Sequence, residues 1–177
     1  LSLALTVEKI LSSSSLLEKT LGSKLTPSVK RLTLYDLLTH SGGFPPNPLY
    51  YDPSYSQALY CQDRSSFLEK LLSTPLLYSP RTQALYSDVD YMLLTFLAEI
   101  LLGESMSSFL SRVFWRPLAI EDSIGYTPLL SSQLTDTNIA ATELKGNTRD
   151  GVISFPNIRT YPLKGEVQDE KAYHCMD

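Results

Sequence analysis

The sequence contains few of the residues from which metal, redox and nucleic-acid sites are built. Its 177 residues include two cysteines and two histidines, and the formal net charge is -4. Cys61 and Cys175 form no Cys-x-x-Cys pair, which excludes a zinc knuckle and a thioredoxin-type site. They can form a disulfide only if the fold brings them together, so the redox compartment stays open. Because no basic block occurs, we do not expect a nucleic-acid partner. His174 has no Cys-x-x-Cys or Asp/Glu cluster at ligand spacing beside it, so we do not expect a metal site either.

Long hydrophobic runs are also missing, and none approaches the roughly 20 residues that cross a bilayer. Glu8 and Lys9 interrupt the apolar start of the chain, and neither a basic stretch nor a small-x-small cleavage site flanks it, so we do not expect this stretch to be a signal peptide. Leu3, Val7, Ile10 and Leu11 share one helical stripe. This pattern predicts an amphipathic helix that is already under way at residue 1, and we expect both ends of the sequence to be cuts.

What the sequence does contain is globular material, with 43% hydrophobic and 19% charged residues. Thr33 and Asp36 have capping-box spacing, which predicts a helix that stops at Gly42-Gly43. Ser66 and Glu69 are predicted to cap a second helix that buries four apolar side chains, Phe67, Leu68, Leu71 and Leu72. The most apolar helix is predicted to end at Gly103 and carries Met92, Leu93, Phe96, Leu97, Ile100 and Leu101. Another helix starts at Ser105.

The remaining segments read as loops. Residues 44–62 are rich in proline and tyrosine and are too long for a simple connection, which is typical of a functional lid or wall. Beyond Glu121 the pattern becomes polar, and short extended pieces such as 152–154 are expected there. His40 stands at the end of the first capped helix, so we interpret it as a structural residue whose imidazole contacts the last helical carbonyls.

Tyr86-Ser87-Asp88 stands at the start of the most apolar helix. Taken alone, the tripeptide suits a helix cap, because serine and aspartate are good N-cap residues. It follows two further segments, residues 37–43 (Leu-Leu-Thr-His-Ser-Gly-Gly) and 78–82 (Tyr-Ser-Pro-Arg-Thr). In that order the three segments resemble the serine penicillin-binding protein and class C β-lactamase family, whose middle motif is Tyr-x-Asn. The family's partner motifs are an upstream Ser-x-x-Lys and a downstream His- or Lys-x-Gly.

The resemblance implies a catalytic role for Tyr86 and Asp88. Tyr86 would be the general base or proton relay for a serine nucleophile, and Asp88 would orient the lysine of Ser-x-x-Lys. No lysine of this sequence has a serine three residues before it. A phenol with a pKa of about 10 is a poor base at neutral pH unless a cation lies beside it. His40-Ser41-Gly42 spells the third motif but precedes the tyrosine, where that motif does not belong.

A narrower resemblance rests on later segments: residues 139–143, 146–151, 155–160 and 165–172. They are similar to one subgroup of the family, envelope proteins named D-alanyl-D-alanine carboxypeptidases and related to penicillin-binding protein 4B. That subgroup also has Tyr-Ser-Asp-Val-Asp-Tyr, as at residues 86–91, so Asp88 is a subgroup trait. Gln168 stands where histidine is usual.

The resemblance also implies a fold and a function. The parent fold is α+β, an antiparallel sheet flanked by helices, and we expect this chain to be mainly α-helical with long loops and few short strands. Residues 1–177 would form part of one domain. The expected function is acyl-serine hydrolysis of a D-alanyl-D-alanine peptide of peptidoglycan in the periplasm, without cofactor or metal. A β-lactam- or ester-cleaving enzyme and a non-catalytic helical binding module are the alternatives.

Overall fold

A computed structural model describes residues 2–121, 140–148 and 150–176. The chain divides into two compact units. Unit 1 comprises residues 1–48 and 68–125, and unit 2 comprises residues 49–67 and 126–177. Each unit is described by itself below.

Seven short α-helices make up most of the regular structure among the described residues. Their bounds are α1 Val7–Leu11, α2 Ser15–Leu17, α3 Pro27–Lys30, α4 Leu34–Leu38, α5 Arg64–Ser73, α6 Asp88–Leu102 and α7 Met106–Leu110. A π-helical turn extends α2 over Glu18–Gly22, a second extends α7 over Ser111–Trp115, and a third covers Ala172–Met176.

The core of unit 1 forms around α6, which packs against α1, α4 and α7. Val89, Leu93 and Leu97 are the buried apolar residues of α6. They fall on one face because their spacing follows the helical repeat. The chain before α1 is tied to α4 by backbone hydrogen bonds. The N–H of Leu34 donates to Leu5 O at 3.1 Å, and the N–H of Tyr35 donates to Leu3 O at 3.0 Å.

The predicted first helix exists, but it begins later than expected. Val7, Ile10 and Leu11 are buried as the stripe predicts. Leu3 is 51% exposed and lies outside the helix. The physical reason is the N-cap, because the hydroxyl of Thr6 accepts the N–H of Lys9. The chain ahead of Thr6 uses its carbonyls to bind α4, and the prediction of a helix already under way at residue 1 is wrong.

The capping predictions have mixed outcomes. The Thr33–Asp36 capping box is present in full. However, α4 ends at Leu38, and His40, with φ of 53°, makes the left-handed turn before the glycine pair. The carboxylate of Asp63 caps α5 instead of Ser66 and Glu69, since the N–H of Ser66 donates to Asp63 Oδ1 at 2.9 Å.

The remaining predicted helices are confirmed. Gly103 ends α6 in the left-handed conformation, with φ of 70°. Ser105 caps α7 by accepting the N–H of Ser108. In α5 all four predicted apolar side chains are buried. No regular helix or strand occurs in residues 44–62, which agrees with the predicted long loop.

Unit 2 contains a small antiparallel sheet. β1 (Ala141–Glu143) pairs with β2 (Leu163–Lys164), with Ala141 opposite Lys164 and Glu143 opposite Leu163. Residues 152–154, expected to be extended, follow a turn and form no strand. The prediction of a mainly helical chain with long loops and few short strands is confirmed.

A buried polar cluster stabilises the rest of unit 2. Arg159 is 3% exposed and donates to Glu170 at 3.0 Å, and its guanidinium lies 3.9 Å from the ring centroid of Tyr173. The two cysteines, 114 residues apart, also meet here as free buried thiols, and Cys175 Sγ donates to Cys61 O at 3.2 Å.

Among the described residues, no single helix has the length and apolar character needed to cross a bilayer. Only α6 and the segment Met106–Trp115, taken together despite a 67° bend, satisfy those criteria.

Candidate active site

The site predicted from the sequence lies where two segments of unit 1 run beside each other. Backbone hydrogen bonds join residues 40–46 to residues 77–88 at four points, and this ladder holds the loop ahead of α6 in a fixed position. The donors and acceptors are Leu77 N–H to Gly43 O at 2.8 Å, Arg81 N–H to Ser41 O at 2.9 Å, Leu85 N–H to His40 O at 2.9 Å and Asp88 N–H to Pro46 O at 3.0 Å.

Two glycines allow this close approach. At Gly43, φ is 93°, and a Cβ atom would lie 2.4 Å from the carbonyl oxygen of Tyr78. At Gly42, a Cβ atom would lie 2.8 Å from Asp90 Oδ1. Any larger residue at Gly43 would therefore have to move backbone, and at Gly42 it would meet a buried carboxyl group. The sequence predicted these glycines as a helix stop, but their role is close packing.

The Tyr86-Ser87-Asp88 tripeptide is positioned by its central residue. Ser87 is fully buried and is the N-cap of α6. Its hydroxyl donates to Pro45 O at 2.6 Å and accepts the N–H of Val89 at 3.2 Å. Tyr86 precedes this fixed point and is 67% exposed. The tripeptide is therefore a helix cap, and it also presents a tyrosine to solvent from a rigid position.

His40 lies against the same tyrosine. Its ring centroid is 4.8 Å from that of Tyr86 and 5.0 Å from that of Tyr91, and the ring stacks on Tyr91. Its Nδ1 lies 3.0 Å from Asp90 Oδ2 and accepts the N–H of Ser87 at 3.3 Å. The sequence predicts that this imidazole contacts the last carbonyls of α4, but it contacts Asp90 and Ser87 instead.

Asp90 is the residue that the sequence analysis did not single out. It is fully buried on the first turn of α6, and its Oδ1 has no hydrogen-bond partner among the described residues. Burial raises the pKa of its carboxyl group to about 6, although the hydrogen bond with His40 opposes that shift. No local pattern reveals the pair, because its members are 50 residues apart.

A second long-range pair fixes the loop that leads to Tyr86. Arg81 Nε and Nη2 donate to the two carboxylate oxygens of Asp36, both at 2.7 Å. Asp36 is 1% exposed and also completes the capping box of α4. Burial alone would raise the pKa of Asp36, but the hydrogen bonds from Arg81 and Thr33 outweigh burial and hold it below its usual value.

We expect Asp36→Asn to lower the free energy of unfolding by about 1–2 kcal/mol at neutral pH, since it weakens a cap and an ion pair that is exposed at its arginine end. A lowered pKa means that this contribution is present above the unfolded-state pKa and is lost as the pH falls below about 4. Urea unfolding at several pH values measures the effect. The matched control is Asp150→Asn, since Asp150 forms an exposed pair with Lys145 that should contribute little. Equal effects of the two substitutions at neutral pH would contradict the prediction.

The structure thus brings Tyr86 together with His40 and Asp90, while Asp88 lies at the first position of α6. The catalytic roles assigned to Tyr86 and Asp88 stay predictions. In the described part of the chain, no group of three or more His, Cys, Asp or Glu side chains has the arrangement of a metal site.

Comparison with known proteins adds to this picture. The family model described as Beta-lactamase matches residues 1–153. A protein of Escherichia coli (strain K12) named "Putative D-alanyl-D-alanine carboxypeptidase" is 48% identical over 145 residues, which cover 82% of this chain and 33% of that protein. A protein with the same name from Salmonella gallinarum (strain 287/91 / NCTC 13346) is 43% identical over 146 residues, with the same coverage of 82% and 33%. This chain therefore spans about a third of the length of these relatives.

A solved structure is similar as well. The octameric penicillin-binding protein homologue from Pyrococcus abyssi superposes with a TM-score of 0.51 at 17% sequence identity, over 96% of this chain and 35% of that one. At this identity the likeness shows the fold alone, and it confirms the fold expected from the resemblance of the motifs.

Proposed function

Because this chain belongs to the β-lactamase family, we propose that it is the middle portion of a serine hydrolase that works through an acyl-serine intermediate. The proposed enzyme is a D-alanyl-D-alanine carboxypeptidase of cell-wall metabolism, located in the periplasm. Its substrate is a peptidoglycan peptide ending in D-alanyl-D-alanine. The names of relatives at 48% and 43% identity support this substrate class.

The observation that carries the proposal is the placement of the Tyr86 phenol. It is 67% exposed, and the next residue is a fully buried N-cap with two hydrogen bonds. A residue that moves a proton between a nucleophile and a substrate must be accessible, yet it must also hold its position. A merely capping tripeptide would not need an exposed aromatic ring at its first position.

The proposed mechanism assigns one task to each predicted residue. A serine of the longer protein attacks the peptide carbonyl, and Tyr86 accepts the serine proton and passes it to the leaving amine. The lysine of Ser-x-x-Lys is the cation that makes the phenol a useful base. Asp88 orients that lysine, because a carboxylate accepts hydrogen bonds from an ammonium group. Water then releases the acyl group from the serine.

Two other functions are alternatives to the carboxypeptidase, and the labelling experiment below includes both. A β-lactamase-related esterase would use the same residues on an ester, because one fold hosts several acyl-transfer reactions. A non-catalytic helical module would bind without turnover. A longer protein without Ser-x-x-Lys would favour this module.

We expect the 177-residue chain to form no covalent adduct with a labelled penicillin or an ester probe, since it lacks Ser-x-x-Lys. Intact-mass spectrometry after incubation measures this. The longer protein should gain the mass of one probe, and a variant with alanine at the serine of its Ser-x-x-Lys is the control. An adduct on any serine of the 177-residue chain would contradict the site assignment. A longer protein that stays unlabelled by every probe would favour the non-catalytic module.

A further inference from the structure

Asp90 occupies an unusual position for a carboxyl group. It is fully buried on the first turn of α6, and the described residues give its side chain a single hydrogen bond, through Oδ2 to His40 Nδ1 at 3.0 Å. Its other oxygen, Oδ1, lies beside Gly42, and none of the described residues donates a hydrogen bond to it. A buried carboxylate with one hydrogen bond is costly, so a neutral acid suits this position better.

Three ionisable groups surround Asp90. His40 faces it from the segment after α4, Asp36 acts on it from α4 as a like charge, and the buried hydroxyl of Tyr78 is coupled to it electrostatically. Arg81 is bound by both oxygens of Asp36. Burial, the largest effect, and the like charge of Asp36 raise the pKa of Asp90, whereas the hydrogen bond and the electrostatic interaction with His40 lower it.

The hydrogen bonds at His40 identify where the proton lies. The backbone N–H of Ser87 donates to His40 Nδ1 at 3.3 Å. An N–H can donate only to a nitrogen with a free lone pair, and this contact therefore favours an Nδ1 without a proton. The proton in the contact with Asp90 then belongs to Oδ2, and we assign His40 as the neutral tautomer with its proton on Nε2.

This arrangement holds the imidazole at several points. Asp90 and Ser87 fix Nδ1, and the ring contacts Tyr86 and Tyr91 at 4.8 and 5.0 Å between centroids. Because Tyr86 is largely exposed, its contact with the imidazole is one of the packing contacts that restrict the orientation of its phenol.

We infer that His40 and Asp90 are positioning residues for Tyr86, acting through a proton that Asp90 shares with His40 Nδ1. The catalytic consequence rests on the proposed function, whereas the protonation state does not. If the pair loses a proton to solvent from Nε2, the Oδ2 proton moves to Nδ1, and the N–H of Ser87 then loses its acceptor. Since Ser87 directly follows Tyr86, the change reaches the backbone that carries the phenol.

The first experiment is NMR of the chain, which has only two histidines. Long-range 1H–15N spectra report which imidazole nitrogen carries a proton, and His40→Gln assigns the signals. At about pH 5 we expect an unprotonated Nδ1 and a protonated Nε2 for His40, together with a protonated carboxyl carbon signal for Asp90. A proton on Nδ1 or an ionised Asp90 at that pH would overturn the assignment.

A thermal-unfolding series tests the same state without spectroscopy. The folded-state pKa of Asp90 is raised to about 6, so the stabilising contribution of its protonated carboxyl group is lost as the pH rises from about 4 to about 6. Asp90→Asn removes this loss, because an amide does not ionise. The melting temperature of Asp90→Asn minus that of the wild type should therefore increase over this pH range, and a constant difference would count against the inference.

The second experiment measures acylation in the longer protein. The amide of Asp90→Asn can still donate to His40 Nδ1, whereas Asp90→Ala cannot. We expect Asp90→Ala to slow the acylation step roughly tenfold to a hundredfold at unchanged substrate affinity, and Asp90→Asn to restore most of the rate.

A purely structural role would lower the amount of folded enzyme, measured by active-site titration, without changing the rate per folded molecule. If both Asp90 variants acylate at the wild-type rate while Tyr86→Phe is slow, the positioning role fails and the proposed function stands. If Tyr86→Phe is also unaffected, the proposed role of the tyrosine fails.

Discussion

Replacing Tyr86 by phenylalanine in the longer protein is expected to slow acylation by roughly a hundredfold or more, which is the usual effect of removing a general base. The ring is retained, so its contact with His40 at 4.8 Å between centroids and the buried N-cap at Ser87 should persist. The loss should therefore appear in the rate constant of acylation and not in stability. Stopped-flow measurement with a fluorescent penicillin, combined with thermal unfolding, separates the two effects.

The controls for this experiment lie within the same chain. Tyr55→Phe removes another exposed phenol, in unit 2, and should leave acylation unchanged. At the neighbouring position, Asp88→Asn should slow acylation less than Asp88→Ala, since the amide keeps an acceptor oxygen for the lysine. Equal acylation rates in Tyr86→Phe and wild type would return the tyrosine to a capping and packing role.

Local signals account for the parts of the fold that the sequence predicted. The Thr33–Asp36 capping box and the left-handed Gly103 are set by residues within one helical turn, and both were found as predicted. The four apolar positions of α5 follow the helical repeat and are buried. The order of the three family-like segments along the chain is also a property of the sequence, and it identified Tyr86 as a candidate without the structure.

Long-range contacts account for most of what was missed. The pair of His40 with Asp90 spans 50 residues, and that of Asp36 with Arg81 spans 45. Neither pair has a local spacing rule, so only the fold reveals it. The same holds for the short sheet, where β1 and β2 lie about 20 residues apart in sequence and their pairing depends on the loop between them. The structure therefore extended a predicted tripeptide into a site with two further ionisable residues.

Gly43→Ala is expected to lower the free energy of unfolding of the longer protein by about 2–5 kcal/mol. Two effects add. At φ of 93° an alanine is strained, which costs about 1–2 kcal/mol. Its Cβ would also lie 2.4 Å from the carbonyl oxygen of Tyr78, and this backbone atom cannot rotate away. Relieving such overpacking costs a further amount of about 1–3 kcal/mol. Denaturant unfolding with a local fluorescence probe in unit 1 measures the sum.

Gly103→Ala separates the two effects, because Gly103 has φ of 70° but nothing within 4 Å of a Cβ atom. It should show the conformational strain alone, about 1–2 kcal/mol. The difference between the two variants is then the cost of pushing the loop at Tyr78 away from residues 40–46. Because the same backbone ladder holds Leu85 and Asp88 on either side of Tyr86, Gly43→Ala should also slow acylation, whereas Gly103→Ala should not. Equal destabilisation by the two substitutions would mean that the loop at Tyr78 moves away from Gly43 at little cost. The backbone on either side of Tyr86 would then be less rigid than its hydrogen bonds to residues 40–46 indicate.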